Sequence, residues 1–126
     1  MNKDDCVKRI IETFLEHYQL YLQHIRDYGE ILLHLFVSEA INEPLCLLLK
    51  NRLDAKAYCE IVEAMWKSGD DEVQNVVDVT VLERLSDDDA VWQQFGKSIS
   101  SEFRDYMNHE VLAQNVLMAA VKKIGV

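Results

Sequence analysis

Histidines and cysteines are the residues of this sequence that could do chemistry or hold a metal, and there are four of the first and three of the second. His17 and His24 stand seven residues apart, so a helix would place them on one face, whereas a metal site needs ligands that converge from several elements. No glutamate is followed by a histidine three residues later, as in di-iron bundles, and His109-Glu110 lacks the second histidine of a zincin. We predict no metal site.

The cysteines give no sign of a disulfide framework or of catalysis. There are three cysteines, an odd number, and none of them has C-x-x-C spacing: Cys6, Cys46 and Cys59. This pattern favours a protein of the reducing cytosol. Cys46 and Cys59 lie in apolar helical contexts that are typical of inert thiols. No histidine has the neighbouring lysine and glycine of a phosphotransfer module, and Walker or dinucleotide glycine loops are missing. We therefore expect neither a cofactor nor an enzyme.

Helical periodicity dominates the elements that would position any site. From Val7 to Ile25 the apolar residues recur at helical spacing, which predicts one amphipathic helix. Asp4 or Asp5 is expected to cap its start. Gly29, which is free to adopt a left-handed conformation, is expected to end it.

The middle of the sequence predicts shorter apolar elements. The run 30–37 is apolar almost all round, so a short buried helix and a buried strand both fit it. Pro44, in Asn42-Glu43-Pro44, predicts a helix start followed by a short helix over 45–53, since proline is tolerated in a first turn. Asp54 is expected to cap another helix that ends before Gly69.

A further helix is expected to begin at Asp70 or Asp71. Within it the β-branched run 76–82 also alternates like a strand, but the helix-forming residues on both sides favour helix. Ser86 and Asp87 are expected to cap the helix that follows, up to a break at Gly96.

The last part of the chain, 98–124, is also expected to be helical. Its later apolar positions are Leu112, Val116, Leu117, Ala120 and Val121. With 126 residues, 49% of them hydrophobic, the chain is long enough to bury a core. We predict one all-α domain over 1–126, a compact bundle of six or seven helices.

Acidic residues are concentrated in one stretch of the sequence. The net charge is −9 at pH 7, and the stretch 70–89 holds eight acids against one base, Arg84, a local charge of −7. These acids are Asp70, Asp71, Glu72, Asp78, Glu83, Asp87, Asp88 and Asp89. A negative surface repels phosphate backbones, so direct nucleic-acid binding is not expected.

Two interpretations of this charge stay open. Aspartates at helix starts act as caps and interact favourably with the helix dipole, which accounts for much of the pattern without any partner. Alternatively, two acidic helix starts converge into a surface that docks a basic protein. The partner-binding residues on that second interpretation are Asp70, Asp71, Glu72, Asp78, Asp87, Asp88, Asp89 and Trp92.

The two tryptophans, Trp66 and Trp92, each follow the apolar stripe of a helix by about one position. Packing at the edge of the core is the favoured interpretation. A partly exposed Trp92 beside the acids would serve instead as an interface anchor.

Two segments resemble a family of helical immunity proteins from bacterial polymorphic-toxin and contact-dependent growth inhibition loci. The first is 28–36, YGEILLHLF, and the second is 68–77, SGDDEVQNVV, which continues to LERL at 82–85. The resemblance implies a protein that binds and neutralises a cognate toxin domain. It carries over no individual functional residues, because such proteins diverge at the surface that meets the toxin.

The resemblance and the charge point in the same direction. Nuclease toxins bind phosphate backbones, so their clefts are basic, and an acidic helical surface would fill such a cleft. We therefore expect a cytoplasmic immunity protein that occludes a basic toxin domain, in particular a nuclease. A helical adaptor with a non-toxin partner is the alternative. The apolar segment 30–53 would also allow a homodimer, and no sequence run is long enough to span a membrane.

Overall fold

The computed structural model describes residues 1–110, and these residues form seven helices without any strand. The helices are α1 (Lys3–Thr13), α2 (Tyr18–Tyr28), α3 (33–50), α4 (Lys56–Ser68), α5 (71–85), α6 (Asp89–Lys97) and α7 (101–110). The prediction of an all-α bundle of six or seven helices is confirmed. None of the described helices combines the length and the apolar character needed to cross a membrane. The positions expected to continue the last helix (Leu112, Val116, Leu117, Ala120 and Val121) lie outside the described residues.

The prediction of one helix from Val7 to Ile25 is wrong. The chain leaves α1 at Phe14, whose φ of −122° and ψ of 86° are not helical, and passes through a 3₁₀ turn into α2. Phe14 is buried and stacks on Tyr58 of α4 with ring centroids 4.0 Å apart, and His17 Nε2 lies 2.9 Å from the Tyr58 hydroxyl. These contacts with α4 compensate for the interrupted helix. They leave Leu15 of the predicted apolar stripe 75% exposed.

The ends of the first two helices follow ordinary capping rules. Asn2 caps α1 in place of the expected Asp4 or Asp5, because its side chain accepts from the Asp5 N–H at 2.9 Å while the Asp5 carboxylate accepts from the Asn2 N–H. Gly29 ends α2 with a φ of 73°, the left-handed conformation that was predicted for it.

α3 contains the run whose helix or strand character the sequence left open. It is α-helical over Leu33–Val37, π-helical over Ser38–Asn42 and α-helical again over Glu43–Lys50. Pro44 lies in the first turn of the last piece, as predicted, but the helix does not break before it. The Glu43 N–H donates to the Ser38 carbonyl five residues back, and Pro44, which has no N–H, follows this wide turn.

α5 has the same three-part construction. It is α-helical over Asp71–Val76, π-helical over Val77–Leu82 and α-helical over Glu83–Leu85. The preference for helix over strand in 76–82 is confirmed. Burial explains why the weak helix propensity of the β-branched residues is overridden, since Val76, Val77, Val81, Leu82 and Leu85 are all in the core.

α4 starts and ends close to where the sequence placed it. Asp54 Oδ1 accepts from the Lys56 N–H at 3.0 Å, so Asp54 supports the helix start as expected. Gly69 follows the last helical residue but is extended, with φ of −70° and ψ of 149°. A glycine is needed there for space, because a Cβ would stand 2.3 Å from the Met65 carbonyl oxygen.

Candidate partner-binding surface

The acids of the stretch 70–89 lie mainly at the two ends of α5. Asp70, Asp71 and Glu72 are at its start, and Asp87, Asp88 and Asp89 are between its end and the start of α6. A helix over 71–85 is about 20 Å long at 1.5 Å per residue, so one acidic group lies well away from the other. We call Asp70, Asp71 and Glu72 the first acidic group. We call Glu83, Asp87, Asp88 and Asp89 the acidic corner.

The first acidic group is joined to the N-terminus of the chain. Asp70 caps α5, as predicted, by accepting from the Val73 N–H at 3.0 Å. The Asp70 N–H donates to the Met1 carbonyl at 2.8 Å, and the Met1 ammonium donates to the Ser68 carbonyl at 2.7 Å. Backbone groups of Met1 and Ser68 therefore adjoin the start of α5.

The acidic corner has no such internal role beyond one cap. Asp88 caps α6, whereas the sequence predicted Ser86 and Asp87. The Asp88 Oδ1 accepts from the backbone N–H groups of Ala90 and Val91, at 2.9 and 3.2 Å. All three aspartates and Glu83 are exposed. The ion pairs within residues 1–110 are Lys8–Glu12 and Lys56–Glu60, so none of the described bases pairs with the corner.

Two residues that the sequence assigned to the partner surface have partners inside the protein. Asp78 is half-buried and accepts from the Tyr106 hydroxyl at 2.6 Å; burial first, and then this bond, raise the pKa of Tyr106. Trp92 is 8% exposed, and its indole N–H donates to Asn108 Oδ1 at 3.0 Å. Trp92 is therefore a core residue, and the edge-of-core interpretation holds for it. Trp66 likewise stacks on Phe103, with ring centroids 4.7 Å apart.

The π-helical segments of α3 and α5 pack against each other, a feature that the sequence analysis missed. The Asn42 side-chain amide donates to the Thr80 carbonyl at 2.7 Å, and His34 Nδ1 lies 2.6 Å from Thr80 Oγ1. Asn42 is only 1% exposed, and its Oδ1 is buried without a hydrogen-bond partner in the described chain. Single π turns occur often at functional sites, so the surface beside these two π-helical segments is a candidate functional site. The helix–strand conflict in 76–82 was the only sequence signal for it.

Two open grooves flank this pair and meet at the acidic corner. The α3/α5 groove, of about 480 Å³, is lined by His34, Leu35, Ser38, Asn42, Val79, Thr80, Glu83, Arg84 and Asp87. The α3/α6 groove, of about 340 Å³, is lined by Glu43, Cys46, Leu47, Lys50, Arg84, Asp87, Asp88 and Val91. Leu47 is 63% exposed and Val79 is 49% exposed, so apolar side chains are presented among the acids. A surface of this composition suits protein binding.

Within 1–110 no three His, Cys, Asp or Glu side chains come together as a metal site requires. Burial raises the pKa of the Cys6 and Cys59 thiols to about 12, so both are protonated and unreactive at neutral pH. Burial also raises the pKa of Cys46, which lines the α3/α6 groove.

The chain is thus an all-α protein whose most distinctive surface is an acidic corner beside two grooves. Residues 7–113 match the family model described as Domain of unknown function (DUF7674), and the chain belongs to this family. No curated protein and no solved structure matches the chain.

Proposed function

We propose that this protein is an immunity protein, which binds a cognate basic toxin domain through the acidic corner and the grooves beside it. The toxin we expect is a nuclease, because a nuclease must present a cationic cleft to its substrate. The mechanism is stoichiometric occlusion, and no bond is made or broken.

One observation carries the proposal. The four carboxylates of the acidic corner are exposed and have no ion-pair partner among the described bases. Three of them, Glu83, Asp87 and Asp88, line the grooves that also contain the exposed apolar side chains of Leu47 and Val79. Solubility alone does not require charge and exposed apolar surface to adjoin. An interface with an apolar centre and a charged rim does require it.

The two parts of this surface have different physical roles. Focused negative potential raises the rate at which a basic protein arrives and sets its orientation. Burial of Leu47 and Val79 then slows dissociation, since apolar contact contributes most of the stability of a complex. Neutralising rim charges should therefore change the association rate more than the dissociation rate.

The proposed surface is smaller than the set of residues predicted from the sequence. It keeps Asp87, Asp88 and Asp89 and adds Glu83. Asp78 and Trp92 are excluded because their polar groups already have partners in the fold. The first acidic group is excluded because it lies at the far end of α5.

The test is co-expression with the product of the gene directly upstream of this chain's gene, where the proposal expects a toxin gene. The proposal requires that the two proteins purify together at one-to-one stoichiometry and that co-expression restores growth of cells producing the toxin. A complex that forms without restoring growth would favour the adaptor function instead. Failure to form a complex at low salt would contradict the proposal.

A further inference from the structure

A buried acceptor without a partner lies in the wall of the α3/α5 groove. Asn42 lines this groove and is 1% exposed; its amide N–H₂ donates to the Thr80 carbonyl, and its Oδ1 has no hydrogen-bond partner in the described chain. Buried polar atoms are nearly always satisfied, so this oxygen beside an open groove is an acceptor available to a donor that enters the groove.

The rest of the groove shows what kind of donor fits. Glu83 and Asp87 place two exposed carboxylates at its edge, and Leu35 and Val79 provide apolar walls. Three acceptors in one groove that also contains the apolar side chains of Leu35 and Val79 suit a cation that has several N–H donors and a planar, weakly hydrated head.

We propose that the α3/α5 groove seats an arginine side chain of the partner protein, with the guanidinium donating to Asn42 Oδ1 and paired with Glu83 and Asp87. This inference rests on the proposed function, since it names one contact of the same surface. The guanidinium is the better match than a lysine ammonium because it spans several acceptors at once and packs its flat face on apolar walls.

Two features of the free protein oppose the arginine. Asn42 Oδ1 is closed to solvent, so binding has to widen the groove. Arg84 also lines the groove and repels a second cation. The positive charge of Arg84 makes it possible to test which kind of ligand the groove binds. Arg84→Gln should strengthen the binding of a cation and weaken the binding of an acidic or carbonyl-rich ligand.

The experiment is an NMR titration of the full ¹⁵N-labelled chain with a blocked tri-arginine peptide, with blocked tri-lysine as the comparison probe. We expect saturable shifts of the Asn42 side-chain amide and of backbone amides across 79–87, and several-fold weaker binding of tri-lysine. Glu83→Gln with Asp87→Asn should raise the Kd about fivefold or more, and Arg84→Gln should lower it about threefold. The matched control, Asp71→Asn with Glu72→Gln, removes the same charge and should change the Kd less than about twofold.

Three results would overturn the assignment: equal binding of the two peptides, an unmoved Asn42 amide at saturation, or an equal loss of affinity in the control variant. None of the variants depends on replacing Asn42 itself, whose bond to Thr80 braces the fold.

The outcome is separable from that of the proposed function. If the toxin domain binds through Asp87 and Asp89 but tri-arginine leaves Asn42 unmoved, the arginine seat is wrong and the immunity function stands. If tri-arginine moves Asn42 but no complex forms with the toxin domain, the seat stands and the proposed function fails.

Discussion

The two ends of α5 are chemically alike and structurally different. Each has an aspartate cap with further acids beside it, Asp70 before α5 and Asp88 before α6, and each cap satisfies backbone N–H groups at 2.9–3.2 Å. The first end lies against the chain's own N-terminus, whereas the second borders two grooves and exposed apolar side chains. Clustered acids in the sequence therefore identify helix starts. Whether such a helix start can also bind a partner depends on the grooves and apolar side chains that lie next to it in the folded protein.

The largest expected difference between the two ends is in stability. Gly69→Ala, just before the first acidic group, should lower the free energy of unfolding by about 2–4 kcal/mol, because the added Cβ would stand 2.3 Å from the Met65 carbonyl and 2.7 Å from Val73 Cγ1. Ser86→Ala, before the acidic corner, removes only a hydrogen bond to the Glu83 carbonyl and should cost about 1 kcal/mol or less. Urea unfolding of both variants makes the comparison; equal losses would show that the first junction is not the tighter one.

Asp78, halfway along α5, should behave as an internal residue. Tyr106→Phe removes the hydroxyl that donates to Asp78 and should cost about 1.5 kcal/mol at neutral pH. It should leave toxin binding unchanged. A variant that folds normally and loses binding would place Asp78 in the interface after all.

The same contact predicts a pH dependence. Because the pKa of Tyr106 is raised in the folded protein, its contribution to stability is complete below pH 10, the ordinary tyrosine value, and is lost as the pH rises above it. The buried thiols of Cys6 and Cys59, with pKa values raised to about 12, add a loss with the same sign between pH 9 and 12. Unfolding measured from pH 8 to 11 should therefore show falling stability, with a shallower fall in Tyr106→Phe. A slope identical to the parent chain would contradict the assigned role.

The two caps should be close to equal in stability. Asp70→Ala and Asp88→Ala should each cost about 1 kcal/mol, and the Asn variants only a few tenths, since asparagine caps as well as aspartate. The Asn variants therefore remove charge with little change of fold. Thermal unfolding of the Ala and Asn variants at both positions checks this prediction. If only one of the two caps contributed to stability, the two acidic groups would not be matched for the comparison of binding.

Much of the fold could be predicted from local patterns, and the errors have a common cause. The spacing of Val73, Val76 and Leu85 and the left-handed Gly29 were sufficient for helix content and one helix end. The break at Phe14 was not predictable, because it depends on a stacking partner, Tyr58, that is 44 positions away in the sequence. Pattern rules contain no information about such long-range contacts.

The candidate site shows the same division. The sequence identified the acids but grouped them by proximity in the chain, which placed the far ends of one helix in a single surface. The pairing of the π-helical segments, and with it the orphaned Asn42 Oδ1, follows from the packing of α3 on α5 and has no local signature.

On the proposed function, the position of the acidic corner, and not the total charge of the chain, makes it the docking surface. This claim is tested most directly by the association rates, at low salt, of two matched variants with the product of the gene directly upstream. One variant carries Asp87→Asn, Asp88→Asn and Asp89→Asn, and the other carries Asp70→Asn, Asp71→Asn and Glu72→Gln. Each loses three charges and keeps a side chain that can cap a helix.

We expect the first variant to associate about tenfold more slowly than the parent chain and the second to stay within about twofold of it, and we expect the difference to shrink as salt is added. Equal slowing of the two variants would contradict this expectation, since the total charge alone would then explain the binding.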